Sequence, residues 1–264
     1  MRRVHPDGVL LEASPLRGGI SAPVTKLSVR TRRGSVHLVL RQPDQAAFEF
    51  RLLSLLHERG LPVPRPLWLE PPGPLLARGG LLLSWLPGRP DLCSGTLQPR
   101  LAPAARLLAR VHAVDGRDPA FAFLPDRPAD TPSPPRGHKL TLQHGDYWPG
   151  NWVWHEGRLQ GILDWEDAHR GDPLEDVANA RLEVWIRFGA HGAATFTREY
   201  CAAAPHLDTR RLAAYDAWAA NRARARVAAW TDDARERARL TAAIRDFAAS
   251  IAGCPRITPP RRGQ

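Results

Sequence analysis

Apolar and polar positions follow one rhythm early in the chain and another late. Residues 24–30 and 36–41 are short runs rich in β-branched and apolar residues, parted by the turn signal Arg32-Arg33-Gly34-Ser35, which predicts two β-strands. Asp44 is placed to cap a following helix that carries Phe48, Leu52, Leu55 and Leu56 at helical spacing, and Gly60 and Pro62 stop it. A proline-rich crossing spans residues 61–74. The continuous apolar run 81–85 then predicts a buried strand closed by Pro87-Gly88. From about residue 99 the spacing turns helical (101–114), and a loop over 115–139 holds six prolines. After a compact segment at 140–173 the pattern is helical as far as Gly253. Strands first and helices later predict an α+β protein with a small mixed lobe and a larger helical one.

Composition narrows the function classes. With 43% hydrophobic and 24% charged residues over 264 positions, the chain is of ordinary globular make-up. Its formal charge is +10, and only Lys26 and Lys139 among the 37 basic residues are lysines. Such a balance raises a nucleic-acid or anionic-membrane partner. No nucleic-acid-binding module is recognisable, however, and no apolar run approaches the roughly 20 residues that span a bilayer. The arginines are therefore expected on solvated faces, with neither nucleic acid nor membrane as partner. Cys93, Cys201 and Cys254 are far apart and lack metal-ligand spacing. The first residues contain no signal-peptide core, so a soluble, cytoplasmic protein is expected.

The segment that carries chemistry is Gln143-His144-Gly145-Asp146-Tyr147-Trp148-Pro149-Gly150-Asn151, followed by two short arms around Gly157 and by Asp164-Trp165-Glu166. The arms predict a β-hairpin, with Asn151 opening the first and Asp164 closing the second. An amide oxygen and a carboxylate meeting at the open end, with Asp146 five residues before Asn151, suit a hard cation such as Mg2+ that also holds substrate phosphates. Asp146 would then orient, and deprotonate, a hydroxyl attacking a phosphoryl group. Asp172-Pro173-x-Glu175 is first of all a helix-capping pattern.

His144-Gly145-Asp146-x4-Asn151, with Ile162-Leu163-Asp164-Trp165-Glu166 beyond it and Gly171-Asp172-Pro173-Leu174-Glu175-Asp176 after that, resembles the aminoglycoside phosphotransferase/choline kinase family. The resemblance implies a protein-kinase-like bilobal fold. A small N-terminal β-sheet lobe with one main helix (1–86) would bind nucleotide. A larger, mostly helical lobe (87–254) would hold the catalytic and acceptor sites, and a disordered tail (255–264) would follow. It implies ATP and Mg2+ as cofactors and a small-molecule hydroxyl as acceptor, with Asp146 as catalytic base and Asn151 and Asp164 on the metal. Upstream, Gly19 and Ser21 fall where a phosphate-covering loop would lie. Arg41 stands where the family strand has its phosphate-binding Lys, with Glu49 as its partner. Residues 83–86, including Leu83 and Trp85, fall at the hinge that would bind adenine. His144 is expected to position the loop. The departures at Arg41 and in the glycine loop leave a second reading, a nucleotide-binding pseudoenzyme or scaffold of the same fold.

Acceptor identity is left open at this level. Glu183, Trp185 and Trp218 are candidate contacts. Residues 207–247 carry nine arginines against six acidic residues, which disfavours a polycationic acceptor. A choline-like cation, a sugar and an apolar alcohol all stay possible.

Overall fold

The structure, a computed structural model, describes residues 4–16, 22–90, 92, 98–135 and 137–252. Its contacts divide the chain into two compact units, Met1–Arg89 with Val153–Glu166, and Pro90–Trp152 with Asp167–Gln264. The first unit thus takes in a hairpin from the middle of the chain, which a simple cut at residue 86 misses.

In the first unit, β1 (Val9–Pro15), β2 (Val24–Thr31), β3 (Gly34–Arg41), β4 (Pro66–Glu70) and β5 (Gly80–Ser84) form one antiparallel sheet in the order β1-β2-β3-β5-β4. Strand β5 is interior, between β3 and β4, and buried along Gly80–Leu83, as a run without alternation requires. By the two-residue period Leu82 joins Val29 and Leu38 on one face, and Leu81 and Leu83 point to the other. Strand β4 hides inside the proline-rich crossing. It is tolerated there because it lies at the sheet edge, where Pro66 needs no ladder partner on its outer side.

Helix α1 (Ala46–Glu58) packs against β4 and β5 and buries Glu49, Leu52, Leu53 and Leu56. The buried stripe is turned toward Leu53, and Leu55 is only half-buried, because Glu49 faces inward to meet a charge. Asp44 does not cap it. The N-cap is Gln45 without a side-chain bond, and Asp44 sits 3.7 Å from Arg78 instead. Beyond the two-residue strand β6 (Arg89–Pro90), the hairpin of β8 (Trp152–His155) and β9 (Arg158–Ile162) turns on Glu156 and Gly157, both at positive φ (48° and 74°), the two-residue turn that matches strand twist. Ile162 N–H donates to Pro62 O at 3.0 Å, tying β9 to the segment after α1.

In the second unit, α2 (Gln98–His112) packs on α3 (Leu174–Ala203), and α3 on α4 (Leu212–Trp230) and α5 (Ala234–Ala252). A two-stranded antiparallel ladder, β7 (Thr141–Gln143) with β10 (His169–Gly171), brackets the loop that precedes the hairpin. Trp152 stacks on Phe196, with Tyr147 tilted against it at 5.4 Å. Asp172 Oδ1 accepts from Leu174 N–H at 3.0 Å and Glu175 Oε1 from Asp172 N–H at 2.9 Å, so this pair caps α3 as its spacing predicts. No described helix is long and apolar enough to cross a membrane. The fold class is α+β, an N-terminal antiparallel sheet with one main helix and a larger helical part after it. The tail 255–264 lies outside the described residues.

Candidate active site

The loop leaving β7 is held from below by one buried carboxylate. Asp176, fully buried on the first turns of α3, accepts from His144 N–H at 2.6 Å and Gly145 N–H at 2.9 Å. Its remaining partner is His112 Nε2 at 3.3 Å, whose ring is fixed in turn by Tyr200 Oη at 2.6 Å. Burial works against the charge of Asp176, yet His112, with His144 and His169 near, holds its carboxyl below the ordinary range. Gly145 adopts φ +85°, and a Cβ there would stand 2.2 Å from Asp167 O. Only glycine fits this bend.

The bend delivers Asp146 to solvent. Asp146 N–H donates to His144 Nδ1 at 3.2 Å, so the fully buried His144 positions the loop. Asn151 Nδ2 donates both to Asp146 O at 2.9 Å and to Asp146 Oδ2 at 3.1 Å. The amide therefore aims the carboxylate, and its own Oδ1 carries no hydrogen bond among the described residues.

Asp146 borders a pocket of about 110 Å3. The loop contributes Gly145, Asp146, Tyr147 and Trp148, and Asp167 follows β9. Helix α3 adds Asn179, Leu182 and Glu183, and α4 adds Ala219, Arg222, Ala223, Arg226 and Trp230. Burial pushes the Glu183 carboxyl up to about 7, Asp146 adds to the rise, and Arg187 opposes it from 3.8 Å. The Arg187 guanidinium also lies over the Trp148 ring at 4.9 Å.

A second cluster sits in the first unit. Arg41, the last residue of β3, donates Nε to Glu49 Oε2 at 3.0 Å and Nη2 to both Asp164 Oδ1 (2.8 Å) and Glu166 Oε2 (2.9 Å). Burial disfavours its charge, but Glu49 and Asp164, then Glu166, more than offset this and raise its pKa. Glu49 itself is pushed up by burial, with Arg41 pulling the other way. Asp164 adopts φ +64°, a left-handed conformation uncommon outside glycine, which a functional position commonly carries.

The other sequence candidates fall as follows. Gly19 and Ser21 lie outside the described residues. Leu83 is interior to β5, flanked by Val39 on one side and Pro66 on the other. Trp85 lies just past the strand, its N–H donating to His37 O at 3.3 Å and its ring under Lys26 Nζ at 4.7 Å. Of the proposed acceptor contacts only Glu183 lines the pocket. Trp185 packs on Phe247 at 5.6 Å, and Trp218 is buried beneath Arg222 at 5.1 Å. Sequence reasoning missed the roles of Asp176, Glu166, Asp167, Asn179, Arg222, Arg226 and Trp230. The last three share one stripe of α4 at i, i+4 and i+8, a spacing legible in the sequence once an α4 wall is known.

A family model described as the phosphotransferase enzyme family matches residues 12–133 and 124–218. The chain belongs to this family. Among solved structures, this phosphotransferase-family protein is similar to a putative aminoglycoside phosphotransferase from Ralstonia eutropha (18% identity, TM-score 0.70, covering 95% of this chain and 94% of that one). It is also similar to a macrolide 2'-phosphotransferase from Brachybacterium faecium (20%, 0.57, 88% and 91%). A third is a thermostable mutant of aminoglycoside phosphotransferase APH(4)-Ia in ternary complex with AMP-PNP and hygromycin B (18%, 0.59, 91% and 95%). At these identities the likeness establishes the protein-kinase-like fold. A curated relative, acyl-CoA dehydrogenase family member 10 of Mus musculus, is 26% identical over 52% of this chain, and the match spans only 17% of that protein.

Proposed function

We propose that the protein transfers the γ-phosphate of ATP to a hydroxyl of a small molecule, with Asp146 as the base that orients and deprotonates the acceptor hydroxyl. The observation that carries this reading is the presentation of Asp146. It is an exposed carboxylate at a pocket, aimed by one bond from the Asn151 amide, which also donates to the Asp146 backbone carbonyl, on a loop anchored to buried Asp176 through the backbone of His144 and Gly145. Phosphoryl transfer needs positioning and charge neutralisation more than covalent chemistry, and this loop is built to position.

Arg41, held by Glu49, is assigned to the phosphates, where a guanidinium grips bidentately. Gly19 and Ser21 are assigned to the loop covering the phosphates, and the backbone around Leu83 and Trp85 to the adenine. Mg2+ is assigned to Asn151 and Asp164. The donor types suit a hard cation, since each residue, taken within its own unit, keeps an oxygen not spent on any described hydrogen bond, Asn151 Oδ1 and Asp164 Oδ2. Among the described residues no group of three or more His, Cys, Asp or Glu is arranged to hold a metal. The ion would therefore complete its shell with water and substrate phosphate. When bound it supplies neutralisation of the charge that develops on the phosphates.

A second reading, a nucleotide-binding pseudoenzyme, is favoured by one observation. Arg41 already spends Nη2 on Asp164, which the kinase reading needs for the metal, and on Glu166. The test is an ATP-consumption screen with Mg2+ over alcohols, amino alcohols, sugars and antibiotics, run beside Asp146→Asn. Acceptor-dependent turnover that the variant abolishes supports the kinase. ATP binding without turnover for any acceptor supports the pseudoenzyme.

A further inference from the structure

The pocket at Asp146 has two chemically different walls. One is acidic, with Asp146 and Asp167 on loops and Glu183 on α3. The other is α4, which contributes Arg222, Arg226 and Trp230 along one stripe with Ala219 and Ala223 between them. Neither arginine makes an ion pair among the described residues, although other arginines of the helical unit do so. Arg181, Arg211 and Arg239 are examples. Arg222 is half-buried and its guanidinium lies over Trp218, which fixes its direction, while Arg226 is exposed. Two like charges four residues apart on one helix wall repel each other. That cost is relieved when an anion binds between them.

The same pocket is poorly suited to a cation. The aromatic ring that a quaternary ammonium would seek beside Asp146 is that of Trp148, and Arg187 already occupies one face of it. Glu183, the α3 carboxylate, is likewise engaged by Arg187. Trp230, 39% exposed at the end of the arginine stripe, offers an apolar platform whose ring carries no described cation.

We propose that the acceptor carries, besides the hydroxyl it presents to Asp146, an oxyanion group (carboxylate or phosphate), and that Arg222 and Arg226 bind this group with Trp230 covering the carbon skeleton beside it. This rests on the kinase reading for the role of Asp146 but not for the anion site. The arginines confer specificity by charge, and α4 selects hydroxy acids or phosphorylated alcohols over amino alcohols.

The test is direct binding of matched probes to the full chain by calorimetry. Mandelate is compared with mandelamide and phenylethanolamine, and glycerophosphate with glycerol. The anionic member of a set is expected to bind about tenfold tighter or more, the worth of one charge-assisted hydrogen bond. Arg226→Glu and the pair Arg222→Ala/Arg226→Ala should erase that preference. Arg226 is exposed, so its variant tests charge without a folding defect. Equal or tighter binding of the neutral or cationic probes, binding by no probe, or anion binding unchanged in the arginine variants overturns the proposal. Transfer of phosphate from ATP is scored separately. Anion selectivity without transfer would remove the kinase reading and leave the site. Transfer to a cationic alcohol, indifferent to both arginines, would do the reverse.

Discussion

Arg41 Nη2 lies 2.8 Å from Asp164 Oδ1, joining the end of β3 to a residue two positions past the end of β9, 123 positions later. The Arg41 side chain is only 11% exposed and its guanidinium meets three carboxylates. Removing it strands Glu49, whose side chain is 5% exposed, without its counter-charge. Arg41→Ala should therefore lower stability by about 3–5 kcal/mol, the cost of breaking a buried pair from one side. Chemical denaturation with unchanged m-value checks this. A loss under about 1 kcal/mol would show that the cluster holds nothing together.

Lysine at position 41 separates structure from chemistry. Arg41→Lys keeps a charge for Glu49 but cannot also reach Asp164 and Glu166 with a planar fork. The variant is expected to lose less stability than Arg41→Ala, and freeing the two acids should change ATP affinity in either direction by several-fold. Unchanged ATP affinity, measured by calorimetry with Mg2+, would separate Arg41 from the nucleotide.

Gly145 is fixed by its surroundings. Gly145→Ala would force a Cβ at φ +85° against Asp167 O, 2.2 Å away, and is expected to cost at least about 2 kcal/mol. It should also displace Asp146 and depress any turnover further than the stability loss explains. A thermal melt indistinguishable from the parent protein would contradict the account of this bend.

Glu183 ties stability to pH. Its carboxyl is raised from an ordinary 4.5 to about 7, so the folded state binds its proton more tightly than the unfolded state. The stability it contributes is fully present below about pH 4.5 and is lost as pH rises through 7, at most about 3 kcal/mol. Glu183→Gln should flatten this part of the stability profile between pH 5 and 8. A profile as steep as the parent's would assign the slope to another group.

Much of this was legible along the chain, and particular residues say why. The β2–β3 pair, the buried run at Leu81–Leu83 and the capping pair Asp172 and Glu175 all depend on local pattern, and all stand where pattern puts them. The loop from His144 to Asn151 was recognisable because its residue types are dictated by one bend and one hydrogen-bonded pair. Strand β4 was hidden, since prolines mask an edge strand whose partner comes ten residues later. The failed cap at Asp44 and the inward turn of Glu49 both go with contacts outside the local pattern, to Arg78 and to Arg41. Arg41 demands a carboxylate on the inner face of α1, and this tertiary requirement sets the rotation of the helix. Asp176 as anchor and the arginine stripe of α4 were out of reach for the same reason. Each acts on residues 30 or more positions away.

The central claim is that Asp146 handles the acceptor hydroxyl, and the most direct measurement is acceptor-dependent phosphate transfer by Asp146→Asn beside the parent protein. Asp146 is exposed, so the variant should melt as the parent does while turnover falls about 10²–10⁴-fold with ATP affinity kept. Turnover equal to the parent's would contradict the assignment.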